Sequence, residues 1–476
     1  MCRLGFWLAL AMSIVGASIP PRLARAQIDE GGASRPPSSS TDAHASAAAF
    51  ETPATAPPAG ASRVLTLDQV ERAAIEHQPQ LIAARASTHV AQGQAEQATA
   101  PLLPQVVGTA SYTRETGNFA PRPGVATAPG QHIGGSLFST SYDYWNFGLN
   151  ATQLIYDFGQ TSEKSRAAAL NVDALQQSER TTKLGVVVNV RRAYFAARAS
   201  KELVDVARET LGNQNKHLGQ VQGMVLAGTQ PPIALAQQKA AVANATVQLI
   251  TAQNGYETSK AQLNQAAGIV GGTDYDVSDH DFDALPDEDE PLESLVGKAL
   301  VARPELAALV KQRKSGEATL ASAKGTYGPS IAASAGVTDI GLSLDQLVPN
   351  WNAGVGVTWP IFQGGLTKGL VHQAEAGLES VDAQVSVEEL QVRLDVDSAR
   401  LAVRAAKATI GAVDDALASA REQLRLAEQR YATGVGNIIE LNDAQVTYTT
   451  AAAQVVSAHY SLATARAQLL AALGRT

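Results

Sequence analysis

Two carboxylates three residues apart follow a glycine-rich turn near the end of the chain, in RYATGVGNIIELNDAQ (430–445), where Glu440 and Asp443 come after Gly434 and Gly436. On a helix that spacing puts both acids on one face, where they can cap the helix, hold a cation or move protons. Asn437 followed by Glu440 has the spacing of a capping box, and an acid in the first turn also suits the helix dipole. Capping therefore accounts for Glu440, without excluding a second role. Asp443, one turn further on, is not needed for that cap. The other chemistry-bearing groups are poorer candidates. The eight histidines show no metal spacing, and no phosphate loop or nucleophile elbow follows a strand. The acidic stretch DYDVSDHDFDALPDEDEP (274–291) lacks the glycine and bidentate glutamate of an EF-hand and reads as a solvated linker. No catalytic constellation, metal site or cofactor motif emerges, so an enzyme is the weakest reading.

The elements that carry the two acids must be long. The chain has 476 residues, 45% apolar but only 5% aromatic, and is rich in alanine, which favours long helices packed on small side chains over compact globular cores. Residues 1–26 carry Arg3, an apolar run from Leu4 to Ile19 and Ala24-Arg25-Ala26, the pattern of a secretory signal peptide cut after Ala26. Cys2, the single cysteine, precedes that run, so the mature chain is expected to have no thiol, disulfide or lipid anchor. Loss of Arg3, Arg22 and Arg25 takes the formal net charge from −8 to −11, which argues against nucleic acid as a partner. No other apolar stretch is long enough to cross a bilayer as a helix, so entry into a membrane requires a closed β-barrel. Residues 27–62, a Pro/Ser/Ala/Gly mixture, read as disordered linker.

Internal similarity organises the rest. LIYDFGQT (154–161) aligns with PIFQGGLT (360–367) at an offset of 206 residues, which also carries Gly228 onto Gly434 and AQLNQAAG (261–268) onto AQLLAALG (467–474). HQPQL (77–81) matches ARPEL (302–306) at an offset of 225, leaving about 19 extra residues in the Gly/Pro-rich loop 115–140 of the first copy. Two repeats are expected, at 63–268 and 295–476, joined by an acidic linker at 269–294 in the equatorial region. Each reads helix, strand, loop, strand, long helix, turn, helix. The first copy has a front helix at 66–100, strands at about 104–114 and 143–158, a long helix at 160–226 and a helix at 232–268. The second has a front helix at 295–326, strands at about 329–338 and 350–362, a long helix at 366–432 and a helix at 438–474. A helix of roughly 65 residues is on the order of 100 Å long, and two half-length helices stacked end to end match it.

Heptads mark the helices as antiparallel coiled-coil hairpins. Ile410, Leu417, Leu424 and Tyr431 recur every seven residues before the turn, and Leu441, Tyr448, Val455, Leu462 and Leu469 after it, with alanines between. The strands have a different period. Trp145, Phe147, Leu149 and Ala151 alternate with Asn146, Gly148, Asn150 and Thr152; Trp351, Ala353, Val355, Val357 and Trp359 alternate with Asn352, Gly354, Gly356 and Thr358. An ordinary half-buried sheet shows the same alternation, but tryptophan near the strand ends, a leader and a small polar second face are what a membrane barrel needs. Four strands cannot close a barrel, since the smallest have about eight, so the chain must oligomerise. A trimer with twelve strands is the simplest solution.

In its duplicated order and spacing, the chain resembles the TolC family of outer-membrane channel proteins over about residues 63–474. The resemblance is carried by Pro104 and Pro329 ahead of strands, YDFG (156–159) and FQGG (362–365) at strand-to-helix junctions, and the turns LAGTQPPIALAQ (226–237) and YATGVGNIIELNDAQ (431–445). It implies a mainly helical fold with a membrane β-barrel: a homotrimeric twelve-stranded barrel in the outer membrane, continuous with an α-barrel in the periplasm. It also implies docking on a periplasmic adaptor and an inner-membrane pump of an efflux or secretion system, and passage of substrates without chemical change. On this resemblance Tyr431, Glu440 and Asp443 fall at the periplasmic aperture, with six carboxylates around one axis. The turns Ala227-Gly228-Thr229 and Thr433-Gly434-Val435 fall where adaptors dock, and Trp145, Phe147, Leu149, Trp351, Val355, Val357 and Trp359 face outer-membrane lipid. The sequence departs from the family at Gly436, where a constricting arginine is expected, and at Ala234, where its acidic partner is expected. A coiled-coil tether between envelope layers, without conductance, is the alternative from a different class; it does not need the alternating strands.

Overall fold

Two helices of 67 residues, α3 (Gln160–Leu226) and α7 (Leu366–Ala432), run the length of the molecule in the computed structural model, which describes residues 63–116, 141–278 and 284–475. The expected leader, the linker 27–62 and residues 117–140 of the long loop lie outside the described residues. Each long helix begins at a glycine with φ of 88°, Gly159 or Gly365, which turns the chain sharply out of the preceding strand. In the first copy Asp157 Oδ2 also accepts the Thr161 N–H at 2.8 Å, capping the new helix. Each returns through a short turn into a half-length partner, α4 (Pro232–Ala267) or α8 (Ile438–Ala472). Pro232 starts α4 at a position where its missing N–H costs nothing.

The front helices differ from their expectation. Each is two helices: α1 (Leu67–His77) and α2 (Pro79–Thr99) in the first copy, α5 (Leu292–Ala302) and α6 (Pro304–Gly325) in the second. The breaks fall at Gln78 and Arg303, both extended because a proline follows. The two breaks hold the ends of the return helices in the same way. Gln78 Nε2 donates to Ala266 O at 2.9 Å, and Arg303 Nε donates to Ala472 O at 2.8 Å, so each side chain satisfies a carbonyl at the end of α4 or α8. The glycines that close those helices, Gly268 and Gly474, have φ of 67° and 73° and lie against the breaks. A Cβ on Gly268 would stand 2.9 Å from Gln78 Cα.

Towards the strands, α3 packs between α2 and α6; towards the turns it packs between α4 and α8, with α7 beyond α6 and α8. A stacked pair of shorter helices thus flanks each long one. Among the described residues, buried apolar side chains form three clusters. One surrounds Tyr194, Phe195 and Leu263; one joins Leu295, Val392 and Leu469; the third lies at the turns around Tyr431.

The strands β2 (Gln105–Thr116), β3 (Ser141–Tyr156), β5 (Ser330–Gly341) and β6 (Val348–Thr358) form one antiparallel sheet in the order β2-β3-β5-β6. A second sheet was not expected from the sequence. Three residues of β1 (Arg63–Leu65) pair in parallel with three of β4 (Tyr275–Val277), fixing the start of the described chain to the acidic linker.

The linker itself is corrected by the structure: it is strapped down by ion pairs rather than solvated. Glu288 is 4% exposed and takes Arg466 at 2.9 Å and Lys407 at 2.7 Å. Burial pushes the Glu288 carboxyl up, but the hydrogen bonds from Arg466 and Lys407 outweigh it and hold the group below its ordinary value. Asp287 binds Lys298 at 2.9 Å and Arg475 at 2.6 Å, and Lys201 binds Asp276 at 3.0 Å while donating to Val277 O. These contacts tie the linker to α3, α5, α7, α8 and the C-terminal residues.

Gly268→Ala combines a left-handed backbone with the contact on Gln78, and is expected to cost about 2 kcal/mol or more. Chemical denaturation followed by circular dichroism checks it; Gly255→Ala, in open space within α4, serves as the control that does not destabilise.

Candidate functional site

Residues opposed across a sheet share a face, so the register sorts the strands' side chains. Leu149 lies opposite Val337, and Val337 opposite Trp351; Ala333 lies opposite Val355 and Ile331 opposite Val357. This face exposes Leu149, Val337, Trp351, Val355 and Val357, each by half or more. Trp145 stacks on Phe147 with ring centres 6.4 Å apart and leans on Tyr112 at 4.6 Å. From Trp351 to Trp359 is eight residues, roughly 27 Å along the strand, which at the usual barrel tilt spans about 20 Å of the roughly 25 Å apolar band. Trp359, beyond the end of β6, donates its indole N–H to Tyr327 O at 3.1 Å, so one edge of the band is held by a hydrogen bond. All seven residues expected to face lipid therefore lie on one face or continue it.

The opposite face is mostly small or polar, with Val107, Tyr144, Ile340 and Val348 as its larger members. Thr109 opposes Gly148, which opposes Thr338; Asn150 opposes Gly336, which opposes Asn352; Thr152 opposes Ser334, which opposes Gly354. From Gln105 to Thr113 and across the residues paired with them, this face carries no charged residue. Gly336 gives room to its neighbours: a Cβ there would stand 2.6 Å from Asn352 Oδ1 and 3.1 Å from Asn150 Oδ1. The outermost strands, β2 and β6, each have one neighbour in the sheet.

At the far ends of the long helices the two turns share one geometry. Gly228 has φ of 73° and Gly434 of 77°; Thr229 N–H reaches Met224 O at 2.9 Å and Val435 N–H reaches Arg430 O at 3.0 Å. These are Schellman closures, which demand a left-handed residue. Ala227, Gly228, Thr229, Thr433, Gly434 and Val435 are all exposed. The second turn carries one more constraint. Gly436 N–H also bonds to Arg430 O at 2.8 Å, and a Cβ at 436 would stand 2.8 Å from Tyr431 N. As the turn is built, a Cβ there needs the backbone of Arg430 and Tyr431 to shift.

Tyr431 is 1% exposed and packs among Val221, Ala234, Leu424, Leu441 and Tyr448, a cluster that joins both hairpins. Its hydroxyl oxygen is buried without a hydrogen-bond partner, and burial pushes its pKa up. Ala234, the other departure from the family, is 2% exposed in the same cluster, an apolar slot in which a carboxylate would be desolvated.

The capping box expected at Glu440 is not formed. Asn437 Oδ1 accepts the Ile439 N–H at 3.1 Å, but Glu440 turns back across the turn to Arg430, with Nε and Oε1 3.1 Å apart. The guanidinium at the end of α7 attracts the carboxylate more strongly than a backbone N–H does. Both side chains are about half exposed, so the pair adds little stability. Asp443 is exposed on the next turn, and the Asp443 backbone oxygen accepts the Thr447 hydroxyl.

Sequence reasoning missed a row of buried polar residues above the turns. Thr210, Gln214 and His217 are each about 95% buried on α3, and His217 Nε2 lies 3.5 Å from Glu428 of α7. The three-and-four spacing from Thr210 to Val221 marks a core face, but the heptad search followed apolar residues only.

A model of the outer membrane efflux protein family matches residues 70–269 and 295–475. The chain belongs to that family. The matched stretches fall on either side of the acidic linker. Among the family's relatives, the probable outer membrane lipoprotein SilC of Salmonella typhimurium is 25% identical over 351 residues, 70% of this chain and 73% of that protein. The toluene efflux pump outer membrane protein TtgF of Pseudomonas putida is 26% identical over 330 residues, 67% of this chain and 66% of its own length. Solved channels share the fold. A CusC structure superposes with a TM-score of 0.75 at 20% identity, over 86% of this chain and 92% of the other, and VceC of Vibrio cholerae with 0.74 at 21%, over 86% and 96%.

Because the Tyr431 hydroxyl has no partner, Tyr431→Phe is expected to leave stability unchanged within about 1 kcal/mol, whereas Tyr431→Ala opens a cavity and costs about 3–5 kcal/mol. Urea unfolding of the two variants checks the contrast.

Proposed function

We propose that the protein is the outer-membrane duct of a tripartite efflux pump, a passive conduit that performs no catalysis. The observation that carries this is the four-stranded sheet, which between the levels of Trp351 and Trp359 is apolar on one face except for Gln153, with Asp339 beside Phe147 beyond Trp351, and uncharged on the other, continuous with helices of 67 residues. A tether needs no such sheet. Three copies supply twelve strands, with β6 of one protomer against β2 of the next, and their helices continue the wall through the periplasm. Residues 63–268 and 295–476 act as two structural repeats, joined by the equatorial linker. The relatives' names cover toluene efflux, cation efflux and pyoverdine export, so the fold tolerates varied cargo. A periplasmic adaptor would meet the exposed turns at Ala227-Gly228-Thr229 and Thr433-Gly434-Val435, and an inner-membrane pump would supply the energy.

Tyr431, Glu440 and Asp443 form the aperture in this reading. Tyr431 holds the two hairpins together by packing, in place of a salt-bridged lock at 234 and 436. Because Glu440 is paired with Arg430, Asp443 contributes most of the unbalanced negative charge at the mouth. The purified protein in planar bilayers is expected to form cation-preferring pores, and absence of pores would sink the reading. Asp443→Asn should reduce cation selectivity more than Glu440→Gln, and the double variant should reduce it further; selectivity unchanged in all three would leave the acids without a role in permeation.

A further inference from the structure

Above the turns, α3, α4 and α8 enclose a cavity of about 430 Å³, open on one side. Gln445 of α8 lines it, is 1% exposed, and has an Oε1 without a hydrogen-bond partner. Gln445 Nε2 donates to Thr449 Oγ1 at 3.3 Å, and that hydroxyl also lies 2.9 Å from Gln445 O and 2.9 Å from Thr210 Oγ1, so in this arrangement the amide oxygen is the atom left over. Asn442 Oδ1, one turn earlier on α8, is buried and also unpartnered. Behind the lining, Gln238 is fully buried, and its Nε2 donates to the backbone oxygen and Oε1 of Gln214, leaving its own Oε1 unpaired. The lining contains no charged residue, and α4 contributes Ala240, Ala241 and Ala245 interleaved with Gln237, Asn244 and Gln248.

We propose that this cavity binds small primary alkylammonium ions, the N–H donors directed to Gln445 Oε1 and Asn442 Oδ1 and the alkyl chain laid along the α4 alanines. The orphaned atoms are all acceptors, so the guest must bring donors. A divalent metal is a poor fit, because neutral oxygens alone do not repay its dehydration. A quaternary ammonium has the charge but no N–H to give. The chain's net charge of −8 favours cations over anions as guests. A guest seated here touches both hairpins, α3 and α4 on one side and α8 on the other. Water competes for the same oxygens, and contact of the alkyl chain with Ala240, Ala241 and Ala245 is what favours an amine over water.

Isothermal titration calorimetry of the full-length protein in detergent tests this with n-butylammonium chloride against tetramethylammonium chloride at equal ionic strength. The expected result is one saturable butylammonium site per chain, with tetramethylammonium at least tenfold weaker. Gln445→Leu should weaken butylammonium at least tenfold; should that variant fail to fold, Asn442→Ala on the half-exposed turn should weaken it severalfold. The double variant Glu440→Gln with Asp443→Asn should change it by less than threefold, separating this site from the aperture charges. Equal affinity for the two ions, no saturable binding, or no response to substitution at both 445 and 442 would overturn the proposal. The readout does not depend on conductance, so it stands or falls apart from the duct reading.

Discussion

Backbone groups that enter lipid must find hydrogen-bond partners within the protein, and the β2-β3-β5-β6 sheet leaves two rows of them open. β3 and β5 are paired on both sides, whereas β2 and β6 are paired on one. With an apolar face that exposes Trp351, Val355 and Val357, the sheet cannot rest in water either. The proposed duct answers both with one arrangement, edge-to-edge closure with further copies of the chain. The long helices continue directly from the sheet, since α3 and α7 leave β3 and β6 through tight glycine turns at Gly159 and Gly365.

Below the membrane the constraint changes from hydrogen bonding to side-chain volume. Alanines at 207, 420, 427, 444 and 451 are buried between the helices, with larger Val204, Leu424 and Tyr448 beside them, so the wall is thin and closely packed. Such packing gives little discrimination along the axis, because one alanine layer resembles the next. Polar contacts supply the register: Gln78 and Arg303 on the ends of α4 and α8, and Glu288 between Arg466 and Lys407. Each joins segments far apart in sequence, and each is unpaired if the helices slip by one turn.

The strongest periodicities were the ones the sequence disclosed. Two-residue alternation bounded by Trp351 and Trp359 identified the sheet, and the seven-residue recurrence ending at Tyr431 identified a hairpin whose turn was marked by Gly434. What escaped was short or nonlocal. β1 and β4 contribute three residues each, separated by about 210 positions, and three residues show no alternation. Pro79 and Pro304 carried a local signal for the breaks in the front helices, which the expected uninterrupted helices passed over. At the second turn the capping-box spacing of Asn437 and Glu440 offered a complete local account, while the stronger partner, Arg430, lay across the turn. The crowding at Gly436 was likewise invisible, because it comes from the proximity of the Arg430 and Tyr431 backbone, which must shift to admit a Cβ.

Closure of the sheet edges by other copies is the claim on which the duct depends, and hydrogen–deuterium exchange of the protein in lipid nanodiscs reads it most directly. The account predicts that amides of β2 and β6, on the sides that face away from β3 and β5, exchange as slowly as those of the two central strands. Rapid exchange along β2 and β6, with protection confined to β3 and β5, would contradict it.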